Sequence, residues 1–351
     1  MPRPIVINGR ELSAENVPYI VAEISANHNG SLQRAKETIL AARDSGVDAV
    51  KIQTYTPDTM TIQSEGKDFW IHEGLWKGRA LYDLYAEAHT PFEWQHELFD
   101  YALQVGVTLF SSPFDETAVD LLESLQTPAY KVASFELVDL PLIAYIAQKK
   151  KPMLLSTGMA SFEEIGRALD VARKAGCTDI GIFHCISGYP TPLDQANVRL
   201  MNVLRDTFDV EVGLSDHTLG PVASIAATVL GAAFIEKHFT LSRADGGVDS
   251  AFSLEPAEMK DLVTQCHATF KALGRGSAER SDVEVGNKTF RRSLYFVEDL
   301  MKGDVITERH VKRIRPGFGL SPEYYNQVIG SRAKRAVRKG DRVVLADVCD
   351  P

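Results

Sequence analysis

Eight short apolar runs, each rich in Val, Ile and Phe and each closing on polar or charged residues, recur along this chain with enough sequence between them for a helix every time. They are residues 19–25, 49–54, 108–113, 129–134, 152–157, 180–185, 210–217 and 233–239. Alternation of strand and helix eight times predicts an α/β fold, a (β/α)8 TIM barrel, with a doubly wound parallel sheet as the alternative. Helical patterns fall between the runs, at residues 31–45, 90–105, 161–175 and 255–273, and Ser161-Phe-Glu-Glu164 carries a capping-box signature.

The residues that end the runs constrain function. They include Glu23, Asn27 and His28; Lys51 and Gln53; Ser111 and Ser112; Lys131, Ser134 and Glu136; Ser156 and Thr157; His184; Ser215, Asp216 and His217; Glu236, Lys237 and His238. In a barrel of this kind only the C-terminal rim gathers all eight loops, so catalytic groups arrive there from several strands. Loops are solvated in any case, yet solvated loops rarely collect lysines, carboxylates and histidines inside apolar strands.

A chain of 351 residues holds one barrel of about 250 residues and a smaller second domain. The expected division is a barrel over residues 1–273, a polar, glycine-containing linker over 274–289, and a small β domain over 290–351 with two Lys-Gly-Asp turns. The formal charge of −9 and the lack of a basic tract interleaved with aromatics argue against a nucleic-acid partner. No apolar run is long enough to span a membrane and the N-terminus lacks a signal-peptide core, which gives a cytoplasmic expectation with no membrane partner. Cys177, Cys185, Cys266 and Cys349 are scattered without metal or disulfide spacing and read as reduced thiols.

His217 and His238 end neighbouring strands, where two imidazoles could share one labile divalent ion (Mn2+, Mg2+ or Co2+) better than a closed structural zinc. Lys51 and Lys131, with the hydroxyls of Ser112, Ser134, Ser156 and Ser215, form the donor set that a small dianion such as a phosphate monoester needs. A Schiff-base lysine, or a structural ion pair to Glu136 or Glu236, stays open for either amine. Glu23 and Glu136 are the candidate acid and base, and Tyr189 and Asp249 are placed to meet substrate hydroxyls or amides. The long connection over residues 55–89, with Phe69, Trp70, Trp76, Tyr82 and Tyr85, either packs on the barrel or covers a sugar.

The segments Ala22-Glu-Ile-Ser-Ala-Asn-His-Asn-Gly30, Val50-Lys-Ile-Gln-Thr-Tyr55, Tyr130-Lys-Val-Ala-Ser-Phe-Glu136, Leu155-Ser-Thr-Gly-Met159, Gly213-Leu-Ser-Asp-His217 and Glu236-Lys-His-Phe239 together resemble the sialic acid synthase family over nearly the whole chain. Phe135 before the glutamate, Ser187, and the stretch from Gly74 to Trp94 look more like its pseudaminic acid branch than its N-acetylneuraminate branch. The resemblance implies a C-terminal antifreeze-like (SAF) domain. It also implies condensation of phosphoenolpyruvate with the open-chain aldehyde of an acylamino sugar. On that reading Lys51, Ser112, Lys131, Ser134, Ser156 and Ser215 hold phosphoenolpyruvate, and His217 and His238 bind the metal with Glu23 nearby. Gln53, Tyr189 and Asp249 face the sugar, Arg315 reaches the site from the C-terminal domain, and the protein is a domain-swapped homodimer. A lysine-dependent aldolase and a non-catalytic ice- or glycan-binding protein remain the competing expectations.

Overall fold

Inward-facing residues of neighbouring parallel strands must interleave in layers, and two glycines show how tightly they do so here. A β-carbon at Gly213 would lie 2.1 Å from the Phe234 ring, and one at Gly181 would lie 2.6 Å from Ile5. Phe234 and Phe183 occupy that space, edge to face at 4.6 Å.

The computed structural model describes residues 2–274, 276–279 and 281–348. The chain opens with a hairpin of β1 (Ile5–Ile7) and β2 (Arg10–Leu12). Eight strands follow: β3 (Tyr19–Glu23), β4 (Ala49–Thr54), β5 (Thr108–Pro113), β6 (Tyr130–Val132), β7 (Met153–Ser156), β8 (Ile180–Cys185), β9 (Glu211–Asp216) and β10 (Phe234–His238). They close in sequence order, with β10 pairing in parallel to both β9 and β3. The eight expected runs are these strands: β4, β5 and β8 match their runs residue for residue, and the other five are trimmed by one or two residues at the ends.

Helices at Leu32–Asp44, Phe92–Val105, Phe162–Lys174 and Pro256–Leu273 cover the outside. Ser161 and Glu164 form the reciprocal capping box that the sequence announces. A wide apolar layer lies between strands and helices, built from residues such as Ile20, Ile52, Val132, Leu155, Ile182, Leu214 and Ile235. Inside the barrel, at the N-terminal end of the strands, a second cluster joins Ile5, Ile7 and Leu12 of the hairpin to Tyr19, Phe110, Leu154, Phe183 and Phe234. The hairpin therefore stoppers that end. No helix among the described residues is long and apolar enough to cross a membrane.

Contacts divide the chain after Gly274. Part of the stretch expected to be linker is ordered into a helical turn at Asp282–Val285 and a tighter one at Gly286–Phe290. Gly317 donates to the Thr289 carbonyl at 2.8 Å, tying that turn to the C-terminal unit. This unit holds antiparallel β11 (Ser293–Phe296) and β12 (Val311–Ile314) over a core that includes Leu294, Phe296, Ile306, Val311, Val337 and Val343. Both Lys-Gly-Asp turns form as expected: Asp304 and Asp341 accept from the backbone N–H three residues earlier, and Gly303 and Gly340 take positive φ. Cys177, Cys185 and Cys266 are free and buried; Cys349 lies outside the described residues.

Candidate active site

Alternation along a strand sends every second side chain inward. On the C-terminal half of the barrel this brings Glu23, Lys51, Gln53, Ser112, Lys131, Ser156, Ser215, Glu236 and His238 toward one axis, and the register sets Lys51 beside Glu23, Ser112 beside Gln53, and Glu236 beside Ser215.

Two lysines and two glutamates form the floor. Lys51 pairs with Glu23, stands 3.7 Å from Glu236 and donates to Ser112 Oγ at 3.3 Å. Lys131 pairs with Glu236, reaches Ser215 Oγ at 3.4 Å and lies over the Phe183 ring. All four are at most 5% exposed, so their charges would be untenable singly. Burial pulls the Lys51 ammonium down, but the Glu23 and Glu236 charges outweigh it and the net shift is upward. Lys131 is lowered, chiefly by burial, and Glu23 is raised for the same reason. Glu236 is also pushed upward by burial, but its two lysine partners prevail and hold it below the usual range. Of the two partners expected for an ion pair, Glu236 is the one used; Glu136 stands apart with one carboxyl oxygen unpartnered. The buried Ser156 Oγ also has no hydrogen-bond partner, which marks the floor as a place for a polar ligand.

Above the floor, the His217 and His238 rings lie 5.4 Å apart. His217 Nδ1 bonds the Ile186 carbonyl at 2.8 Å, leaving Nε2 free, and His238 Nδ1 is buried with no hydrogen-bond partner. Burial lowers His217 to about 4 and His238 well below its ordinary value, so both are neutral donors at working pH. A carbonyl behind one ring and an orphaned nitrogen on the other suit metal ligation. Among the described residues no third His, Cys, Asp or Glu completes a three-ligand cage, so the pair fits an ion that takes its other ligands from substrate or water.

One inward position further along the strands, Gln53 and His238 line a cavity of about 630 Å³ together with Glu136, Tyr189 and Asp249. Burial raises Glu136 to about 7 and also raises Asp249, which lies 3.9 Å from His238 Nδ1. Tyr189 stacks obliquely on His217 at 4.4 Å. Much of the wall is apolar and comes from the long connection: Met60, Ile71, Leu75, Trp76, Leu84 and Tyr85. This segment is a structured cover, with helices at Pro57–Met60 and Leu81–Ala88. The Trp76 indole donates to the Val248 carbonyl at 3.0 Å, which fastens the cover to the loop after β10.

Four residues expected at the rim, Asp216, Lys237, Ser111 and His184, face elsewhere, because strand alternation turns them toward the helices. Lys237 and Asp216 form a buried pair at 2.9 Å outside the barrel, where Asp216 also accepts from Thr218 and Ser224. Ser111 bonds the Ile52 carbonyl, His184 the Ala196 carbonyl, and Asn27 the Phe239 carbonyl. His28 meets Trp94 edge-on. Ser134 is half-buried against Cys185. Arg315 is an exposed residue of the C-terminal unit. Sequence reasoning did not single out Ser25, Tyr55, Met60, Ile71 or Phe114, all of which line the cavity.

A closed barrel with a two-lysine floor, a neutral imidazole pair and an adjoining, largely apolar cavity has the groups that bind a small anion and the space for a larger, partly apolar partner. The chain belongs to the NeuB family, whose model matches residues 38–278, and a SAF domain matches residues 291–348. It is 42% identical to the pseudaminic acid synthase of Campylobacter jejuni, over 94% of this chain and 96% of that one, and 42% identical to the pseudaminic acid synthase of Helicobacter pylori, over 94% and 98%. The crystal structure of an N-acetylneuraminic acid synthetase from Leptospira borgpetersenii superimposes with a TM-score of 0.73 at 28% identity, covering 82% of this chain and 95% of that one.

Proposed function

We propose that this enzyme condenses phosphoenolpyruvate with 2,4-diacetamido-2,4,6-trideoxy-L-altrose to a nine-carbon 2-keto sugar acid, releasing phosphate, in the cytoplasm. One observation carries the reading: the buried Lys51/Lys131 floor lies one inward position along the strands below Gln53 and His238, which line a cavity walled by Met60, Ile71, Leu75 and Trp76, and that wall suits methyl and acetamido groups better than a fully hydroxylated sugar. Its likeness to two pseudaminic acid synthases supports the choice of sugar.

Lys51 and Lys131 take the phosphate and carboxylate charges of phosphoenolpyruvate, with Ser112, Ser156 and Ser215 replacing water. A divalent cation, Mn2+ by preference, held by His217 and His238 would supply polarisation of a carbonyl oxygen. Gln53, Tyr189 and Asp249 orient the aldose so that its aldehyde carbon faces the enol carbon. The new carbon–carbon bond uses the enol electron pair and breaks the aldehyde C=O π bond, whose electrons go to the oxygen; that alkoxide takes a proton to become a hydroxyl, and positive charge is left on the carbon bearing phosphate. Water adds there, Glu23 accepts its proton, and the tetrahedral intermediate expels phosphate. Glu136, raised to about 7, can give or take a proton near neutrality.

The test is phosphate release with phosphoenolpyruvate, Mn2+ and either that altrose derivative or N-acetylmannosamine. Selective release with the altrose is expected; release only with N-acetylmannosamine or a legionaminate precursor overturns the choice of sugar, and release with none overturns the function. His217→Ala and His238→Ala should each abolish release while the fold persists. A Schiff-base aldolase is the second reading, favoured by the lowered Lys131; borohydride trapping of a keto substrate on Lys131 would establish it. The proposal includes a homodimer in which Arg315 serves the partner's site. Mixing Arg315→Ala with Lys131→Met should then restore part of the activity, and no restoration removes that element.

A further inference from the structure

Ser25 is buried at 3% exposure on the cavity wall and adopts φ +32°, a left-handed conformation that a glycine would take without steric cost. Strain of this kind persists only where the surroundings over-determine it. Two bonds do so here. The Ser25 backbone N–H donates to Glu23 Oε1 at 3.0 Å, on the lysine-floor side, and the Ser25 hydroxyl donates to Asp249 Oδ2, on the aldose side. Glu23 Oε1 also receives Gln53 Nε2 at 3.3 Å.

A glycine at this position would keep the N–H bond to Glu23 and relieve the strain. Only the hydroxyl, which holds Asp249, needs a serine. The left-handed backbone is what points N–H and O–H at two carboxylates, one at the end of β3 and one in the loop after β10, and the side chain converts that turn into a link between them.

We propose that Ser25 is a positioning residue for the acylamino sugar: its hydroxyl fixes the Asp249 carboxylate so that the edge facing the cavity meets the aldose. The inference rests on the condensation reading above and deepens it. Because the N–H to Glu23 survives in any variant but proline, loss of the hydroxyl acts on the aldose and leaves the phosphoenolpyruvate side intact.

The experiment compares Ser25→Gly and Ser25→Ala with wild type in thermal denaturation and in steady-state kinetics with each substrate varied. Both variants should raise the aldose KM by about 10- to 100-fold, the range for loss of a hydrogen bond to a charged group. The phosphoenolpyruvate KM should move less than about threefold, well under one such bond. Ser25→Gly should melt no lower than Ser25→Ala, separating stability from function. An unchanged aldose KM, or equal changes for both substrates, overturns the proposal. If wild type releases no phosphate with any aldose, the condensation reading falls by itself, and the link is judged by a melting-temperature cycle of Ser25→Ala, Asp249→Ala and the double variant. Non-additive shifts uphold the link between the two residues, and additive ones dismiss it.

Discussion

The two ends of the barrel interior are built from the same eight strands and solve opposite problems. At the N-terminal end Phe110, Leu154, Phe183 and Phe234 pack against the hairpin residues Ile5, Ile7 and Leu12. At the C-terminal end, one inward step further along each strand, Lys51, Lys131, Glu23 and Glu236 are equally buried but charged. The closed end gains stability from shape; the open end holds four desolvated charges together by their mutual pairing and the hydroxyl, amide and backbone groups that bond them. Stability and chemistry are therefore separated along the barrel axis by a few residues, and the difference is open to attack from either side.

The largest effect is expected at the open end. Lys131→Met leaves Glu236 without its main partner and should cost about 3–5 kcal/mol, the range for breaking a buried pair, together with all turnover. Adding Glu236→Leu should return much of the melting temperature and none of the phosphate release. A double variant that stays as unstable as the single one would show that the charges contribute to stability after all. At the closed end, Phe234→Ala removes a fully buried ring and should cost about 3–4 kcal/mol in denaturant unfolding, while substrate KM values of the folded fraction stay near wild type. A large KM change there would mean that the two ends are mechanically coupled.

A smaller effect concerns pH. Glu136 is raised to about 7 in the folded protein, above its ordinary value of 4.5, so the folded state holds a proton that the unfolded chain has released between those values. Its contribution to stability is thus present below about pH 4.5 and lost as pH rises toward 7. Glu136→Gln should flatten that slope in melting curves taken across the window, and an unchanged slope would place the effect on another group. Smallest of all, Ser161→Ala should cost about 1 kcal/mol by removing a cap far from either end, with no kinetic change.

How much of this was legible in the sequence follows from what periodicity reports. Apolar runs ending in polar clusters announce the strands and the rim, and the pairing of His217 with His238 follows from their places on adjacent strands. Run ends do not say which of two adjacent polar residues turns inward, so Lys237 and Asp216 read as rim groups although they face the helices. Backbone φ is invisible as well, which hides Ser25 among ordinary residues after a strand. The hairpin stopper escaped for another reason: two three-residue strands are too short for any period to show. Met60 and Ile71 join the cavity only because their connection folds back over the mouth, a long-range event with no local signature.

The fastening of Trp76 to Val248 gives that connection a particular standing. It bridges the mouth from the second barrel strand to the eighth while contributing no residue to the lysine floor. On the proposed reading, recognition of the sugar would ride on an insert anchored at its rim, and exchanging the insert's apolar residues would change which aldose fits while the machinery that joins carbon to carbon stays as it is.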